Sequence, residues 1–416
     1  MEAGEVSRRI YQQLTADGGS RLAVRTWTGD QWGPADAEAT LVLRHPGAFR
    51  ALLVPPNDLT AGEAYLYDDV DVEGDIVALL ESVAGLESVR RRPLEYARLM
   101  RLARGLPDDL RRASAERPMV EGRVRSRRRN RQAVTYHYDT GNEFFALFLD
   151  PSMVYSCADF LTPTESLETA QRRKLDLICR KLQLTPGERL LDVGCGWGGL
   201  VIHAASHFGV EATGVTLSGP QADLAQSRVK ELELEDRVTI VEADYRDVAG
   251  SFDAIASVGM FEHVGRATLS TYFKNLKRKL TPGGRLLNHG IVTRDRSRRR
   301  RKTSFISTYV FPDSELIPVE ETIGVAERAG FELRDVESLR ASYALTLRHW
   351  VANLEANASQ AIDLVGERTF RVWRLYMAGS ALAFERAHIG VYQLLLTDPG
   401  RDWTFGRRHL LAADDR

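Results

Sequence analysis

Through the middle of the chain, short apolar runs end in glycine or an acid and give way to stretches with apolar residues at helical spacing. Leu190-Leu191-Asp192-Val193 runs into Gly194-Cys195-Gly196-Trp197-Gly198-Gly199, and a helical pattern follows to Phe208, which predicts strand, tight turn and helix. Further strands are predicted over Glu211–Thr216, Val238–Glu242, Phe252–Ser257, Arg285–His289, Phe331–Glu337 and Val391–Leu396. Strands alternating with helices make an α/β sheet, and such sheets bind ligands at the carboxyl ends of their strands. Two long helical stretches, Tyr343–Leu354 and Phe370–His388, lie between the last two strands. In the second, Val372, Leu375, Tyr376, Gly379, Leu382 and Ala383 fall at helical spacing, most of them as core. Upstream, a small N-terminal α+β domain is expected over 1–117, with a strand at Ala39–Leu43, a turn at Pro55-Pro56-Asn57-Asp58 and helix-rich sequence from Ile76 to Leu106. A polar, charged linker over 118–131 then leads into the α/β domain over 132–416, the candidate catalytic domain if its strand ends carry chemistry.

The glycine turn is the first candidate for chemistry, because glycine lets the backbone take φ > 0 and approach a ligand that a Cβ would exclude. Its spacing, G-x-G-x-G-G, lacks the third glycine of a dinucleotide fingerprint, and no GK[ST] follows, so a phosphate cradle is disfavoured. At the next strand end Thr216, Leu217 and Ser218 stand where a ribose-binding acid is usual, and Gln221 supplies a polar contact. Asp244 and Tyr245, one strand further, put an acid and an aromatic where the edge and face of adenine could be read. The fourth strand ends at Val258-Gly259-Met260-Phe261-Glu262-His263.

At 416 residues the chain is long enough for one large or two ordinary domains. No apolar run reaches the ~18–20 residues needed to span a bilayer, and no basic-then-apolar signal opens the chain, so a soluble, cytoplasmic protein is expected. The three cysteines, Cys157, Cys179 and Cys195, show neither C-x-x-C nor zinc spacing, which argues against a disulfide framework and a structural metal. His203 and His207 have i, i+4 spacing but no third ligand or intervening glutamate, so no metal is expected there either. The 56 basic and 57 acidic residues balance, yet arginines cluster over 123–131 and 294–302. Each run is either a solvated segment or a phosphate-binding surface. Near an anionic lipid surface each basic residue contributes about 1 kcal/mol, and nucleic acid offers phosphates equally well.

Separated motifs carry a resemblance. They are Tyr136-His137-Tyr138-Asp139-Thr140-Gly141-Asn142, Tyr155-Ser156-Cys157-Ala158, the turn at Asp192–Gly199, Gly214–Ser218 with Gln221, Ser257–His263 and Pro282-Gly283-Gly284. Asn288-His289-Gly290-Ile291, Phe305–Pro312 and Tyr343–Leu347 continue them. In these, over nearly its whole length, the chain resembles the class I S-adenosylmethionine-dependent methyltransferases and, within them, the cyclopropane-fatty-acyl-phospholipid synthase family. The resemblance implies a Rossmann-like seven-stranded sheet whose last strand is antiparallel, with helical lipid-binding insertions that line an acyl-chain tunnel. It implies an N-terminal module that presents the phospholipid or pairs subunits in a homodimer. It favours lipid over nucleic acid as the partner of the arginine runs, with attachment to the inner face of the membrane. Matched positions put Tyr155 and Ser156 over the methionine end of S-adenosylmethionine, Gly194 and Gly196 at the turn, and Asp192 orienting that loop. Thr216, Leu217 and Gln221 would meet the ribose, and Asp244 and Tyr245 the adenine.

An isolated alkene is a poor nucleophile, and attack on a sulfonium methyl leaves a carbocation in an apolar pocket. That pocket must supply negative charge or aromatic faces, exclude water and provide a base for the final proton. In the family resembled, the base is a bound bicarbonate, held by side chains that match Cys157, Glu262, His289 and Tyr343, with the backbone near Ile291. Glu262 would accept from its hydroxyl, His289 and Tyr343 would donate, and Cys157 would complete the shell. Each has an ordinary alternative: a small buried cysteine, a helix cap, a core histidine, a helix anchor. Two departures flank the acyl pocket, Asp313-Ser314 in place of the usual Gly-Gly and Ser342 where a histidine is frequent. They leave two products open, a cyclopropane first and, second, a mid-chain methylene branch that a partner reductase would saturate. A nucleic-acid methyltransferase is the competitor from another class, and the Asp/Asn-Pro-Pro-Tyr/Phe motif it would carry after strand four is absent. A non-catalytic methyltransferase-like protein is the third option, disfavoured by the intact Cys157, Glu262, His289 and Tyr343 set.

Overall fold

The computed structural model describes residues 2–16, 21–83, 91–108, 129, 132, 140–295, 303–312 and 314–400. Among these, eleven strands form two sheets. β1 (Ala23–Arg25), β2 (Gln31–Trp32), β3 (Ala39–Leu43) and β4 (Val70–Gly74) make the smaller one, in the order β2-β1-β3-β4. β5 (Arg189–Val193), β6 (Glu211–Thr216), β7 (Val238–Glu242), β8 (Phe252–Val258), β9 (Leu280–Thr293), β10 (Glu332–Ser338) and β11 (Ile389–Thr397) make the larger, in the order β10-β11-β9-β8-β5-β6-β7.

β5 is parallel to β6 and β8, while β11 runs antiparallel to both β9 and β10. β9 is longer than its apolar run predicts, because β11 pairs with it all the way from Arg285 to Thr293. From β5 the chain winds outward to β7 and then returns to place β8 on the other side of β5. The carboxyl ends of β5 and β8 therefore flank the switch point, where a crevice opens for a ligand. β5 is buried on both faces. Leu190 packs with Val201 and Ala204 of the helix Gly199–Phe208, and Leu191 and Val193 pack with Phe273 and Leu276 of the helix Leu269–Lys279. Burial on both faces is why β5 reads as a near-continuous apolar run.

Packing divides the chain into two units that are not continuous in sequence. One joins Met1–Met119 to Arg299–Pro312 and Leu354–Leu382; the other comprises Val120–Arg298, Asp313–Asn353 and Ala383–Arg416. The division expected along the sequence, 1–117, 118–131 and 132–416, differs in giving both inserted segments to the catalytic domain. Side chains on these segments explain the difference. The helix Ala358–Glu385 is broken at Gly366 (φ 78°) and beyond it carries Arg371 and Arg374, both buried. Arg371 donates to the Tyr65 carbonyl at 2.7 Å and ion-pairs with Asp68 at 3.2 Å. Arg374 donates to the carbonyls of Gly74 (2.8 Å) and Val72 (3.2 Å) on β4, to Tyr65 Oη (3.2 Å) and to Glu355 (2.6 Å). From the short helix Phe305–Tyr309, the Tyr309 hydroxyl donates to Glu63 at 3.0 Å, and Phe305 lies so close over Gly62 that a Cβ there would be 2.2 Å from its ring. The linker and the motif residues Tyr136 to Asp139 lie outside the described residues, apart from Arg129 within the linker.

Candidate active site

The turn after β5 has the backbone that its glycines predict. Gly194, Gly196 and Gly198 take φ of 86°, 54° and 81°. The N–H groups of Gly194 and Cys195 both donate to the Val215 carbonyl at 2.9 Å, which ties the turn to β6. A Cβ built on Gly196 would meet no heavy atom within 4 Å, so this side of the turn faces open space. Beneath it Asp192 is 3% exposed, and its Oδ1 has no hydrogen-bond partner. At the end of β6, Thr216 Oγ1 donates to Gln221 Oε1 at 2.8 Å and accepts from Ser218 N at 3.2 Å, with all three residues buried and Leu217 half-buried between them. After β7, the Asp244 carboxylate is already held by Arg246, whose Nε donates to Oδ1 at 2.7 Å. Tyr245 meets Tyr272 edge-on at 6.0 Å, and burial pushes its phenol up to about 12. The acid expected to read adenine is thus engaged by its own neighbour, and the aromatic is anchored in the core.

Tyr155, expected over the methionine end, sits in a box of rings: Trp350 at 5.0 Å, Phe145 at 5.4 Å and Phe148 at 6.4 Å. Ser156 is buried and accepts from Lys174 Nζ at 2.8 Å. The Cys157 thiol lies 3.1 Å from the Ala158 carbonyl and 3.5 Å from that of Leu339, and full burial pushes its pKa up. A thiol that donates to carbonyls there is neutral.

Glu262 lies in the turn Phe261–His263 just beyond β8, 7% exposed. Its Oε1 accepts from the Ile291 N–H at 2.7 Å, and Oε2 has no partner. The Ile291 N–H, expected to face a bound anion, is therefore spent on Glu262. Burial pushes this carboxyl up to about 7, moderated by that hydrogen bond. Two residues earlier on β9, His289 is 2% exposed; its Nδ1 is 3.2 Å from Gln393 Nε2, and its Nε2 has no partner. Burial, aided by the charges of Lys174 and Lys181, pulls His289 down to about 3, so it is neutral at ordinary pH. Tyr343 packs its ring on Phe384 at 4.6 Å and edge-on to Trp350 at 6.1 Å, so it shares the aromatic wall with Tyr155.

Three further residues escaped the reading from sequence. Lys174 is 1% exposed on the helix Leu167–Lys181, within electrostatic reach of Asp150, Cys157 and Asp192. Burial lowers its pKa and raises that of Asp192, and each charge moderates the other's shift. Its signal in the sequence is a lysine on the apolar face of an amphipathic helix. Gln393, fully buried, is an amide inside an apolar strand. Trp350 is fully buried with no partner for Nε1. The pair His203 and His207 is otherwise occupied, since His203 Nε2 is 2.9 Å from Asp176 and the rings stack at 4.3 Å. Among the described residues no group of three or more His, Cys, Asp and Glu is placed to hold a metal ion.

Comparison with known proteins bears on the fold and the family. The family model for mycolic acid cyclopropane synthetase matches residues 125–394. A probable fatty acid methyltransferase of Pseudomonas putida is 39% identical over 388 residues, covering 92% of this chain and 93% of its own. The cyclopropane-fatty-acyl-phospholipid synthase of Escherichia coli is 40% identical over 261 residues, 63% of this chain and 66% of its own. The solved structure of mycolic acid cyclopropane synthase CmaA1 complexed with SAH and CTAB matches with a TM-score of 0.61 at 34% identity, over 64% of this chain and 98% of that one. A seven-stranded sheet with a glycine turn at its switch point, matched in sequence and in fold to such enzymes, places this chain in the mycolic acid cyclopropane synthetase family of class I S-adenosylmethionine-dependent methyltransferases.

Proposed function

We propose that the protein transfers the methyl group of S-adenosylmethionine to the double bond of an unsaturated fatty acyl chain of a phospholipid and closes a cyclopropane, with bicarbonate held at Glu262 and His289. Methyl transfer to unsaturated acyl chains follows from the family; the ring, the phospholipid and the bicarbonate are the finer reading. The observation that carries it is the pair of buried polar atoms, Glu262 Oε2 and His289 Nε2, which have no hydrogen-bond partner in the protein. A buried polar atom left alone costs free energy, about 1–3 kcal/mol, so such a pair fits a site completed by a ligand.

Bound S-adenosylmethionine supplies an electrophilic methyl on a sulfonium, and bound bicarbonate supplies a base. Gly194, Gly196, Thr216, Leu217 and Gln221 would hold the nucleoside half, and Tyr155 and Ser156 the methionine half. The rings of Tyr155, Trp350, Tyr343 and Phe384 pack in one chain of contacts, which would exclude water and offer aromatic faces to a cation on the acyl chain. Neutral His289 donates from Nε2, ionised Glu262 accepts at Oε2, and the carbonyls around Cys157 keep its thiol protonated. Among the described residues no helix is long and apolar enough to cross a membrane. Attachment at the inner membrane face through the arginine runs is part of the proposal, and most of both runs lies outside the described residues.

A second reading has its own support, since the Pseudomonas putida relative that covers nearly the whole chain is described as a fatty acid methyltransferase rather than a cyclopropane synthase. In that case a hydride would shift from the newly methylated carbon to its cationic neighbour, and loss of a proton from the new methyl to the base would then leave a methylene branch. Mass spectrometry of phospholipid fatty acids after incubation with S-adenosylmethionine and oleoyl phospholipid tests both. A product heavier by one CH2 whose fragments show a ring supports cyclopropanation, fragments of a methylene branch support the second reading, and no mass shift with cofactor bound overturns both and directs the search to nucleic acid.

A further inference from the structure

We propose that Gln393 is a positioning residue for His289: its side-chain amide donates to Nδ1 and so keeps the ring proton on Nε2. The two residues face each other directly across the antiparallel pair β9 and β11. Their side chains meet at 3.2 Å, with Gln393 0% and His289 2% exposed, so no bulk water competes for the contact. A neutral imidazole has one N–H, and the bond made at one nitrogen decides what the other offers. With Nδ1 accepting from the amide, Nε2 becomes a donor aimed where the protein provides no acceptor. With the proton on Nδ1 instead, Nε2 would turn a lone pair toward an incoming anion and repel it.

The surroundings keep the ring neutral, which is what makes the tautomer matter. Lys174 and Lys181, on the helix Leu167–Lys181, oppose a positive charge on His289. Glu262 reaches the neighbouring backbone at Ile291. On the far side of Gln393 its partner across β10 is Glu337, whose carboxylate pairs with Lys181 at 2.5 Å. An amide inside the otherwise apolar run Val391 to Leu396 costs free energy unless it is hydrogen-bonded; its nitrogen is engaged by His289, while its Oε1 has no partner.

The purpose of this arrangement rests on the anion reading above, but its test does not. The full-length protein with nitrogen-15-labelled histidine, His289 assigned by its loss in His289→Gln, shows by NMR at neutral pH which ring nitrogen carries the proton. The expected result is Nε2–H in the wild type, a mixture of tautomers in Gln393→Leu, and Nδ1–H in Gln393→Glu. Turnover in Gln393→Leu should fall about 10- to 100-fold, as for other partners that fix a histidine, with S-adenosylhomocysteine binding unchanged. Gln393→Glu, which keeps size and polarity if the leucine variant misfolds, should raise the His289 pKa and add a titration to the pH–rate profile that the wild type lacks. A proton on Nδ1 in the wild type, or an unchanged tautomer in both variants, overturns the proposal. Adding bicarbonate separates the two ideas: an Nε2–H resonance that does not respond to it leaves Gln393 its role and removes the anion.

Discussion

Arg371 and Arg374 in the first unit and Glu262 and His289 in the second are buried alike, at 6%, 8%, 7% and 2% exposure, yet their partners differ. The arginines spend their donors on the carbonyls of Tyr65, Val72 and Gly74, on the Tyr65 hydroxyl and on carboxylates. Glu262 and His289 each make one bond with one polar atom and leave the other without a partner. A buried network with its partners in place fixes a structure, whereas one left incomplete costs stability and is retained for what completes it. Substitutions should therefore separate the two regions by what they damage.

The largest effect is expected from Arg374→Ala, which leaves Glu355 and two β4 carbonyls without their shared donor. Removing one partner of a fully buried pair costs about 3–5 kcal/mol; Glu355 is half-buried, so the loss should approach the lower end of that range, and the urea midpoint should fall sharply. A loss under about 1 kcal/mol, the level of a surface pair, would show that the first unit is not held by its arginines.

Glu262→Gln should do the reverse. Turnover should drop about 10²–10³-fold, as when one preorganised group is removed from a reacting centre, with cofactor binding intact. Its carboxyl is raised from 4.5 to about 7, so the fold favours the neutral form. The wild type should then lose stability as pH rises from near 4.5 through about 7, by up to a few kcal/mol, and the glutamine variant should lack that slope. Activity at fixed bicarbonate should rise over the same upper range, because only the ionised carboxylate accepts at both oxygens. Equal turnover in the variant would remove the bicarbonate reading.

Tyr309→Phe probes the first unit more gently, since it deletes the hydroxyl that donates to Glu63 at 3.0 Å and lies 3.3 Å from Tyr67 Oη. A hydrogen bond to a charged group is worth about 1.5–3 kcal/mol, and denaturant titration should find that loss. A change within error would mean that the short helix Phe305–Tyr309 docks through Phe305 alone.

What was legible in the sequence follows the same division. The strand ends expected to form the cofactor site could be read locally, because an apolar run followed by Gly194 and Gly196 already specifies a strand and a positive-φ turn. Glu262, His289 and Tyr343 were named through resemblance, and the fold adds what no local pattern contains, the bond from Ile291 N–H to Glu262. Gln393 could not be matched to His289 without the register between β9 and β11, which are nearly a hundred residues apart along the chain. Arg371 and Arg374 were not singled out, since a period of 3.6 tells which face of a helix is apolar but not what its polar positions will meet.

Lys174 tests the boundary between the two behaviours. It is as buried as the arginines, and its Nζ donates to Ser156 Oγ, one of the two residues expected at the methionine end, with Asp192 and Cys157 in electrostatic range. If it belongs with the structural arginines, Lys174→Met should unfold the second unit. If it serves the cofactor, methionine should fill the space of its stem, and Asp192, already raised by burial to about 7, should answer the loss of the ammonium by taking up a proton rather than by unfolding. The lost donor would instead appear as weaker S-adenosylhomocysteine binding, about tenfold for ~1.4 kcal/mol, the scale of one hydrogen bond. We expect the second result, with calorimetric titration and a melting curve on the same sample as the measurement. The loss should also deepen as pH falls toward neutrality, because Asp192, without the opposing ammonium, would take up its proton at higher pH than in the wild type.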